Sequence, residues 1–410
     1  MLKGQARGVG GLPAGALLTL LCGGAILTLA VGIRQGFGVF LVPISATFGW
    51  EREVFGLAVA IQNLVWGVFQ PFFSIAADRY GARRVVFAAT LLYGVGLWLL
   101  SVAGSEAVFY LSAGVLLGLA LSGTGFVIIM GAVGRAFPDR NRGLALGVTG
   151  AMGSLGQFAM LPIGQVLIAD LGWRGAASAL AVLAMGCALL ALGMGKAPVR
   201  GDVASSYAAI GTAIRAAGRH RGFLLLNLGF FVCGFQITFI IGHLPAYLQD
   251  EGLSPSAAAV AVGLIGLFNI AGSLLWGGLG DCWPKKYLLS LIYLGRAVLI
   301  VALVALPPSV ELAYLFTAGM GVLWLGTIPL TGGLVADIFG ARYLTSLFGL
   351  VFFGHQVGAF LGVWLGGLAY DHYGSYDAIW WIGAALSLVA AALHVPIDDR
   401  PLQRQAAATA

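Results

Sequence analysis

Two arginines lie well inside long apolar segments of this chain. Arg34 is in the first segment and Arg296 in the ninth, whereas all 16 acidic residues fall in loops or at segment ends. A guanidinium keeps its charge and presents a planar set of N–H donors that fits a carboxylate in a bidentate manner. Buried fixed cations without buried fixed anions therefore favour an organic anion as ligand and disfavour a cationic compound.

Arg34 lies near the middle of its segment. It is about 13 residues from the outer end, which is roughly 20 Å of helix. Ionisable groups at membrane depth are costly and usually face a transport pathway, so Arg34 is predicted to bind the ligand. The alternative is an arginine that only holds helices together through hydrogen bonds to backbone carbonyls.

Uncharged and titratable polar side chains recur inside the same segments. Gln236 and His243 are seven residues apart, which places them on one face of a helix. His243 and His355 are also candidates for proton coupling, because histidine titrates near neutral pH. Buried amides and imidazoles often only bridge helices, for roughly 0.6 to 2 kcal/mol each, and this alternative applies to all of them. The predicted ligand-contacting residues are Arg34, Gln62, Gln236, His243, Asn269, Ser273, His355 and Gln356.

The elements that position these residues are membrane-spanning helices. Apolar residues make up 60% of the chain and charged residues 9%, and the mean hydropathy is +0.95, outside the range of water-soluble domains. Polar and apolar residues do not alternate as in a barrel strand, and about 20 residues of helix cross the hydrocarbon layer. The predicted fold is an all-α membrane protein with twelve transmembrane helices, near residues 14–47, 53–77, 84–104, 107–136, 143–169, 174–195, 222–248, 255–279, 286–306, 310–336, 343–370 and 376–396.

The predicted helices divide into two halves of six. The N-terminal half covers 1–196 and the C-terminal half 222–398. A polar cytoplasmic linker with a short amphipathic helix is predicted at 197–221, and a cytoplasmic tail at 399–410.

A repeat relates the two halves. The charged turn from Asp78 to Arg84 returns from Asp281 to Lys286, 203 positions later. At a shift of 202, Gly147, Gly156, Gly164 and Gly172 return as Gly349, Gly358, Gly366 and Gly374. These repeated residues predict two pseudo-symmetric halves arranged as parallel repeats around a central cavity.

The basic residues orient the chain. All but four of the 22 Lys and Arg residues lie in the termini, the linker and alternate loops, and only Arg52 and Arg174 lie in the loops of the other side. The positive-inside rule then predicts that both termini are cytoplasmic, in an inner or plasma membrane. The net charge of +6 is thus a topology signal, and no nucleic-acid partner is expected.

No nucleotide-binding loop, metal-spaced Cys/His cluster or catalytic nucleophile motif points to a cofactor, a metal or an enzyme.

The charged turn resembles a motif of the major facilitator superfamily, and the resemblance covers essentially the whole chain. The family motif is G-x-x-x-D-R-x-G-x-R-R, and Ser74 stands where its first Gly is usual. The second copy keeps Gly277 and Asp281 but lacks the following Arg and Gly. The stretch from Arg135 to Gly143 is similar to the family's loop between spans four and five. The resemblance implies a transporter fold and leaves the substrate open.

The resemblance also implies a gating role for the charged turns. Asp78 would accept hydrogen bonds at the helix start near Arg342, and Asp281 would do so near Arg142, which closes the inner gate. The alternative is that these charges only set topology and anchor helices. The implied gating residues are Asp78, Arg79, Gly81, Arg83, Arg84, Arg135, Arg142, Gly277, Asp281, Lys285, Lys286 and Arg342.

Position in the family fold separates the two arginines. First spans line the central cavity in this family, which supports a substrate role for Arg34. Ninth spans lie at the periphery, which favours a helix-bonding role for Arg296 and leaves a substrate role as the alternative.

Within the family, the chain resembles the monocarboxylate and oxalate/formate porters. The similar stretches are Arg34 to Trp50, His243 to Ser254 and Gly266 to Asp281. That group usually carries an Arg in span eight that anchors the carboxylate, whereas this chain has Ser273 there and Asn269 one turn earlier. A divergent substrate, or an anchor relocated to Arg34, is therefore expected.

The expected function is secondary active or facilitative transport of a small organic anion, a monocarboxylate by class, through alternating access. A monomer is expected, with membrane lipids around it, and proton symport, anion exchange and uniport are all consistent. One alternative is an efflux carrier for amphipathic compounds, indicated by the many Phe and Trp residues. A second is a transporter-like sensor that binds its ligand without moving it.

Overall fold

The computed structural model describes residues 14–195, 215, 217–340 and 344–401, and it contains no strand in this part of the chain. Eleven of the described helices are long and apolar enough to cross a membrane. One of them has 50 residues, and Gly172 inside it has the non-helical angles φ 69° and ψ 167°. Dividing that helix at Gly172 yields the twelve predicted spans, so the predicted fold class is confirmed.

The first compact unit comprises Met1–Trp50 and Ile61–Arg200. Short 3-10 segments cover Phe37–Phe40 and Leu189–Gly193, and a π-helical segment covers Tyr110–Leu116. The N-terminal α-helices are α1 Ala14–Gln35, α2 Leu41–Phe48, α3 Arg52–Tyr80, α4 Ala82–Ser101, α5 Glu106–Phe109, α6 Leu117–Thr124, α7 Phe126–Ala136 and α8 Asp139–Ala188.

The second compact unit comprises Glu51–Ala60 and Gly201–Ala410, so the start of α3 groups with it. Its further helices are α9 Arg221–Asp250, α10 Pro255–Cys282, α11 Lys285–Ala305, α12 Val310–Val322, α13 Thr327–Phe339, α14 Leu344–Tyr373 and α15 Asp377–His394.

The repeated glycines have the same structural task in each unit. A Cβ on Gly156 of α8 would stand 2.0 Å from the carbonyl oxygen of Thr28 in α1, and a Cβ on Gly358 of α14 would stand 2.0 Å from that of Phe231 in α9. Only glycine permits these close helix crossings. Gly172 has φ of 69° where the chain turns within α8, and Gly374 has φ of 70° directly after α14.

Three predicted spans are interrupted rather than continuous. The span near 14–47 divides into α1, a 3-10 turn and α2. The fourth span breaks at Gly125, whose ψ of 176° ends α6. The tenth span breaks between α12 and α13, where Pro329 lacks the N–H that would bond the carbonyl of Leu325 in a continuous helix. These breaks free backbone groups that side chains must satisfy.

Candidate substrate site and charged turns

Arg34 lies in the last turn of α1, and its side chain contacts α3. Its Nη2 donates to Oδ1 of Asn63 at 2.7 Å, and its Nη1 donates to Oε1 of Gln35 at 3.4 Å. The guanidinium carbon stands 4.9 Å from the ring centre of Trp66, within the range of cation–π attraction. Neutral side chains therefore hold this buried cation.

The guanidinium of Arg34 has unused donors. It carries five N–H donors and forms two hydrogen bonds, and its buried Nε has no partner. Among the described residues, no carboxylate lies within ion-pair distance of Arg34. A buried charge without a counter-charge is costly, and a bound carboxylate would supply both the charge and the acceptors.

Arg296 lies in α11 and is fully buried. Its Nη2 donates to the backbone carbonyls of Leu323 and Trp324, at 2.8 Å each. Its Nη1 donates to Sγ of Cys233 at 3.3 Å and to Oε1 of Gln236 at 3.5 Å. The two carbonyls belong to the break between α12 and α13, so Arg296 satisfies a helix end. These contacts agree with the helix-bonding role predicted for Arg296.

The predicted ligand contact Gln62 bonds protein backbone. Its Nε2 donates to the carbonyl of Ala113 at 2.8 Å. Two turns along α3, Gln70 donates to the carbonyl of Ser122 at 3.1 Å and accepts from Nε1 of Trp66 at 2.9 Å. The polar stripe of α3 therefore fastens the interrupted fourth span.

Asn269 and Ser273 of α10 lie beside the break in the tenth span. Oδ1 of Asn269 accepts from the N–H of Leu325 at 3.0 Å and from Oγ of Ser273 at 3.5 Å. Trp276 donates from Nε1 to the carbonyl of Val322 at 2.8 Å. This stripe secures a helix break as the stripe of α3 does, and the substrate roles of Asn269 and Ser273 stay predictions.

Gln236, His355 and Gln356 are buried within the second unit. Nε2 of Gln236 donates to the carbonyl of Gly383 at 2.8 Å and to Oγ of Ser387. Nδ1 of His355 and Oε1 of Gln356 are 3.1 Å apart. Their substrate roles, and the coupling role of His355, stay predictions.

His243 is fully buried, and both of its ring nitrogens are bonded. Nε2 lies 2.7 Å from the carbonyl of Val363, which only accepts, so this nitrogen carries the proton. Nδ1 then accepts from the hydroxyl of Tyr376 at 3.1 Å. The geometry shows a bridging histidine, and its predicted substrate and coupling roles stay predictions.

Arg52 is the centre of a cluster in the second unit that was not predicted. Its Nη1 and Nη2 donate to both carboxylate oxygens of Asp250, at 2.6 and 2.8 Å, and Nη1 also donates to the hydroxyl of Tyr376 at 2.9 Å. Asp371 accepts from the backbone N–H groups of Arg52 and Glu53 and caps α3.

A sequence signal for this cluster existed. Arg52 is one of two basic residues in the loops of its side, and Asp250 and Asp371 end helices α9 and α14 of the other half. A single basic residue on the side of the chain where acidic residues end helices indicates an ion pair. Counting basic residues loop by loop gives the orientation of the chain but does not reveal such a pair.

The first charged turn forms an exposed ion pair. Nη1 of Arg135 lies 3.5 Å from Oδ1 of Asp78. Arg142 donates from Nε to the carbonyl of Gly134 at 2.9 Å, and Gly81 has φ of 89° at the start of α4. Helices α3 and α4 also carry the other predicted residues of this turn, Arg79, Arg83 and Arg84.

The second charged turn bonds differently. Nζ of Lys285 lies 2.8 Å from Oδ2 of Asp337, an acid that was not predicted. Lys286 donates to the carbonyl of Ile397 at 2.9 Å. Gly277 and Asp281 lie in the last turns of α10, and Asp281 is exposed. Arg342 lies outside the described residues, so its predicted pairing stays a prediction.

Within the described ranges, no group of three or more His, Cys, Asp or Glu residues is placed to hold a metal ion. Cys22, Cys187, Cys233 and Cys282 are free thiols.

A family model decides the identity of the fold. The model described as the Major Facilitator Superfamily matches residues 20–327 and 226–410. The chain belongs to the major facilitator superfamily. This facilitator is therefore a multi-pass integral membrane transporter for a small-molecule substrate, and it is not an enzyme.

Two relatives and one solved structure are similar to this chain. The facilitator is 28% identical over 388 residues to monocarboxylate transporter 13 of Bos taurus, which covers 90% of this chain and 86% of the relative. It is 27% identical over 351 residues to the MFS-type transporter YcxA of Bacillus subtilis (strain 168), with 82% and 84% covered. A bacterial homologue of the human lysosomal transporter Spinster, solved inward-facing and unoccupied, has a TM-score of 0.72 at 17% identity, with 93% and 95% covered. That last likeness shows the fold alone.

Proposed function

We propose that this facilitator carries a small organic anion, a monocarboxylate by class, across the membrane by alternating access. The observation that carries the proposal is Arg34, a buried cation that bonds only neutral amides and keeps a buried Nε without a partner. A carboxylate satisfies the charge and the unused donors together. A cationic substrate is repelled at the same position.

The name of one relative supports the same substrate class. The bovine relative that covers 90% of this chain is called monocarboxylate transporter 13. At 28% identity the substrate does not follow from that name, because a few side chains on a common fold select it. The contacts of Arg34 are the independent support.

The side of the membrane and the coupling belong to the proposal as well. The excess of Lys and Arg in the termini and in the charged turns indicates that these face the cytoplasm. The ion pairs of Asp78 and Lys285 would then form part of an inner gate. Proton symport through His243 or His355, anion exchange and uniport are the three modes of coupling to be distinguished.

Uptake into proteoliposomes tests the substrate class. The purified protein is reconstituted and supplied with radiolabelled L-lactate, pyruvate, formate or oxalate, with and without a proton gradient. Saturable uptake of at least one of the three monocarboxylates is expected, and uptake of oxalate alone would contradict the monocarboxylate class. Arg34→Gln is expected to lower that uptake by about 10- to 150-fold, because a hydrogen bond to a charged group contributes about 1.5 to 3 kcal/mol. Absence of saturable carboxylate uptake by the unmodified protein would overturn the proposed substrate class, and unchanged uptake by Arg34→Gln would overturn the role of Arg34.

Arg174 offers a matched control. Its guanidinium donates to the carbonyls of Ser101 and Ala103, at 2.8 Å each, at the end of α4. Arg174→Gln lowers the net charge by the same amount as Arg34→Gln, and it is expected to leave carboxylate uptake close to that of the unmodified protein. An equal loss in both variants would assign the effect to net charge and contradict the role of Arg34.

The same vesicles separate the alternatives. Transport of lipophilic cations without carboxylate uptake would support an efflux carrier for amphipathic compounds. Carboxylate binding without any flux would support a sensor.

A further inference from the structure

Asn63 is fully buried in α3 and faces the guanidinium of Arg34. Its amide atom 2.7 Å from Nη2 must be the oxygen, because arginine has donors and no acceptor. Three residues further along the same helix, Trp66 lies under the guanidinium at 4.9 Å. Helix α3 therefore holds Arg34 at two points, an acceptor and an aromatic face.

Neither Asn63 nor Trp66 carries a charge. The short hydrogen bond to Asn63 fixes the plane and direction of the Arg34 guanidinium, and the indole face of Trp66 limits the rotation of that guanidinium. An aspartate at position 63 would fix the geometry equally well but would also neutralise the cation. With an amide at position 63 a ligand meets the full positive charge of Arg34, whereas with a carboxylate it would meet a neutralised pair.

We propose that Asn63 is a positioning residue that determines specificity for anions: it orients Arg34 with a neutral acceptor and so leaves the positive charge for the carboxylate of the substrate. The inference rests on the proposed function, because it assigns the selectivity of the same site. Helix α3 then acts on the substrate through Arg34 rather than by direct contact.

Comparison of the two halves supports the view that Arg34 and Asn63 act as a pair. The position equivalent to Arg34 in the second half is Gln236, and the position equivalent to Asn63 at a shift of 203 is Gly266. Both members are present in one half and both are absent from the other. The cation of the second half, Arg296, instead donates to backbone carbonyls.

Two substitutions at Asn63 separate positioning of a charge from ordinary packing. Asn63→Asp keeps the shape and the acceptor but compensates the charge, so carboxylate uptake in proteoliposomes is expected to fall by about 10- to 150-fold. Asn63→Leu removes the acceptor but leaves the charge, so a smaller loss through a higher KM is expected. A purely structural role predicts the reverse order, because Asp is the closer mimic of Asn.

The probes are L-lactate, pyruvate, formate and oxalate, and chemical unfolding in mixed micelles is followed for every variant. Asn63→Asp is expected to be folded and at least as stable as the unmodified protein, because it pairs with Arg34. Loss of folding in Asn63→Asp, or uptake by Asn63→Asp equal to or above that of Asn63→Leu, overturns the inference even where Arg34→Gln lowers uptake as expected. Uptake retained by Arg34→Gln overturns the role of Arg34, and this inference with it. Absence of carboxylate uptake by the unmodified protein overturns the proposed function itself.

Discussion

The two buried arginines, one in each compact unit, differ in the number and the kind of their acceptors, although the buried Nε of each has no partner. Arg296 donates four hydrogen bonds, two of them to backbone carbonyls at a helix break. Arg34 donates two, both to side-chain amides, and keeps 8% of its surface exposed. Burial of a cation therefore does not by itself indicate a substrate site. The number and the kind of its acceptors distinguish a structural arginine from one that is free to bind a ligand.

The repeat sharpens this contrast, because each arginine has an uncharged counterpart in the other half. Gln236 is the counterpart of Arg34, and Tyr93 is the counterpart of Arg296 at a shift of 203. The hydroxyl of Tyr93 donates to the carbonyl of Ala30 at 3.2 Å. The two halves share a framework of helices but carry their buried cation on different helices of it.

The largest effect on stability is expected for Arg296→Met. The substitution leaves the carbonyls of Leu323 and Trp324 without donors, and each unsatisfied buried group costs about 1 to 3 kcal/mol. A loss of roughly 2 to 6 kcal/mol is therefore expected in chemical unfolding in mixed micelles. Arg34→Met is the matched control, with an expected change below about 1 kcal/mol because it also removes the cost of a buried charge. Equal losses in both variants would remove the distinction between the arginines.

A smaller effect is expected for Arg52, which is an arginine with a compensated charge. Its bidentate pair with Asp250 is partly buried, with 13% and 31% of the side chains exposed. A double-mutant cycle with Arg52→Gln and Asp250→Asn is expected to give a coupling energy of about 1 to 3 kcal/mol in the same unfolding assay. A coupling near zero would show that the cluster has no energetic role in the second unit.

The smallest effect is expected for the charged turns. Both pairs are exposed, with 55% of the Asp78 side chain and 43% of the Asp337 side chain open to solvent. Asp78→Asn and Asp337→Asn are each expected to change the free energy of unfolding by less than about 1 kcal/mol. Transport rate is the second measurement, and a loss of rate without a loss of stability would support the gating role. Losses of stability comparable to that of Arg296→Met would contradict the ranking.

Much of the fold was predictable from the sequence, because each lipid-exposed helix must be long and apolar. The twelve spans and the repeat agree with the structure, in which Gly156 and Gly358 occupy equivalent close helix crossings. The breaks at Gly125 and before Thr327 were not predicted. An apolar run records burial in lipid, but it does not show where backbone groups lose their partners.

The candidate site was less predictable. Arg34 was predicted because a charged residue in the middle of an apolar span needs a reason to be there. Its partner Asn63 was not predicted. The adjacent Gln62 was predicted instead, and its amide donates to a backbone carbonyl. Asn269 was assigned to the substrate on the same grounds, and it accepts from the N–H of Leu325. The type and depth of a polar residue reveal that it needs a partner, and only the packed helices show which partner it has.

Stabilisation of the purified protein by a carboxylate tests the contrast between the two arginines most directly. Unfolding temperatures are measured in detergent with and without L-lactate, pyruvate, formate or oxalate, for the unmodified protein, Arg34→Met and Arg296→Met. The expected result is a double separation: Arg296→Met unfolds at a lower temperature but is still stabilised by the carboxylate, whereas Arg34→Met unfolds normally and is not stabilised. A carboxylate that still raises the unfolding temperature of Arg34→Met would contradict the assignment of Arg34 as the anion site.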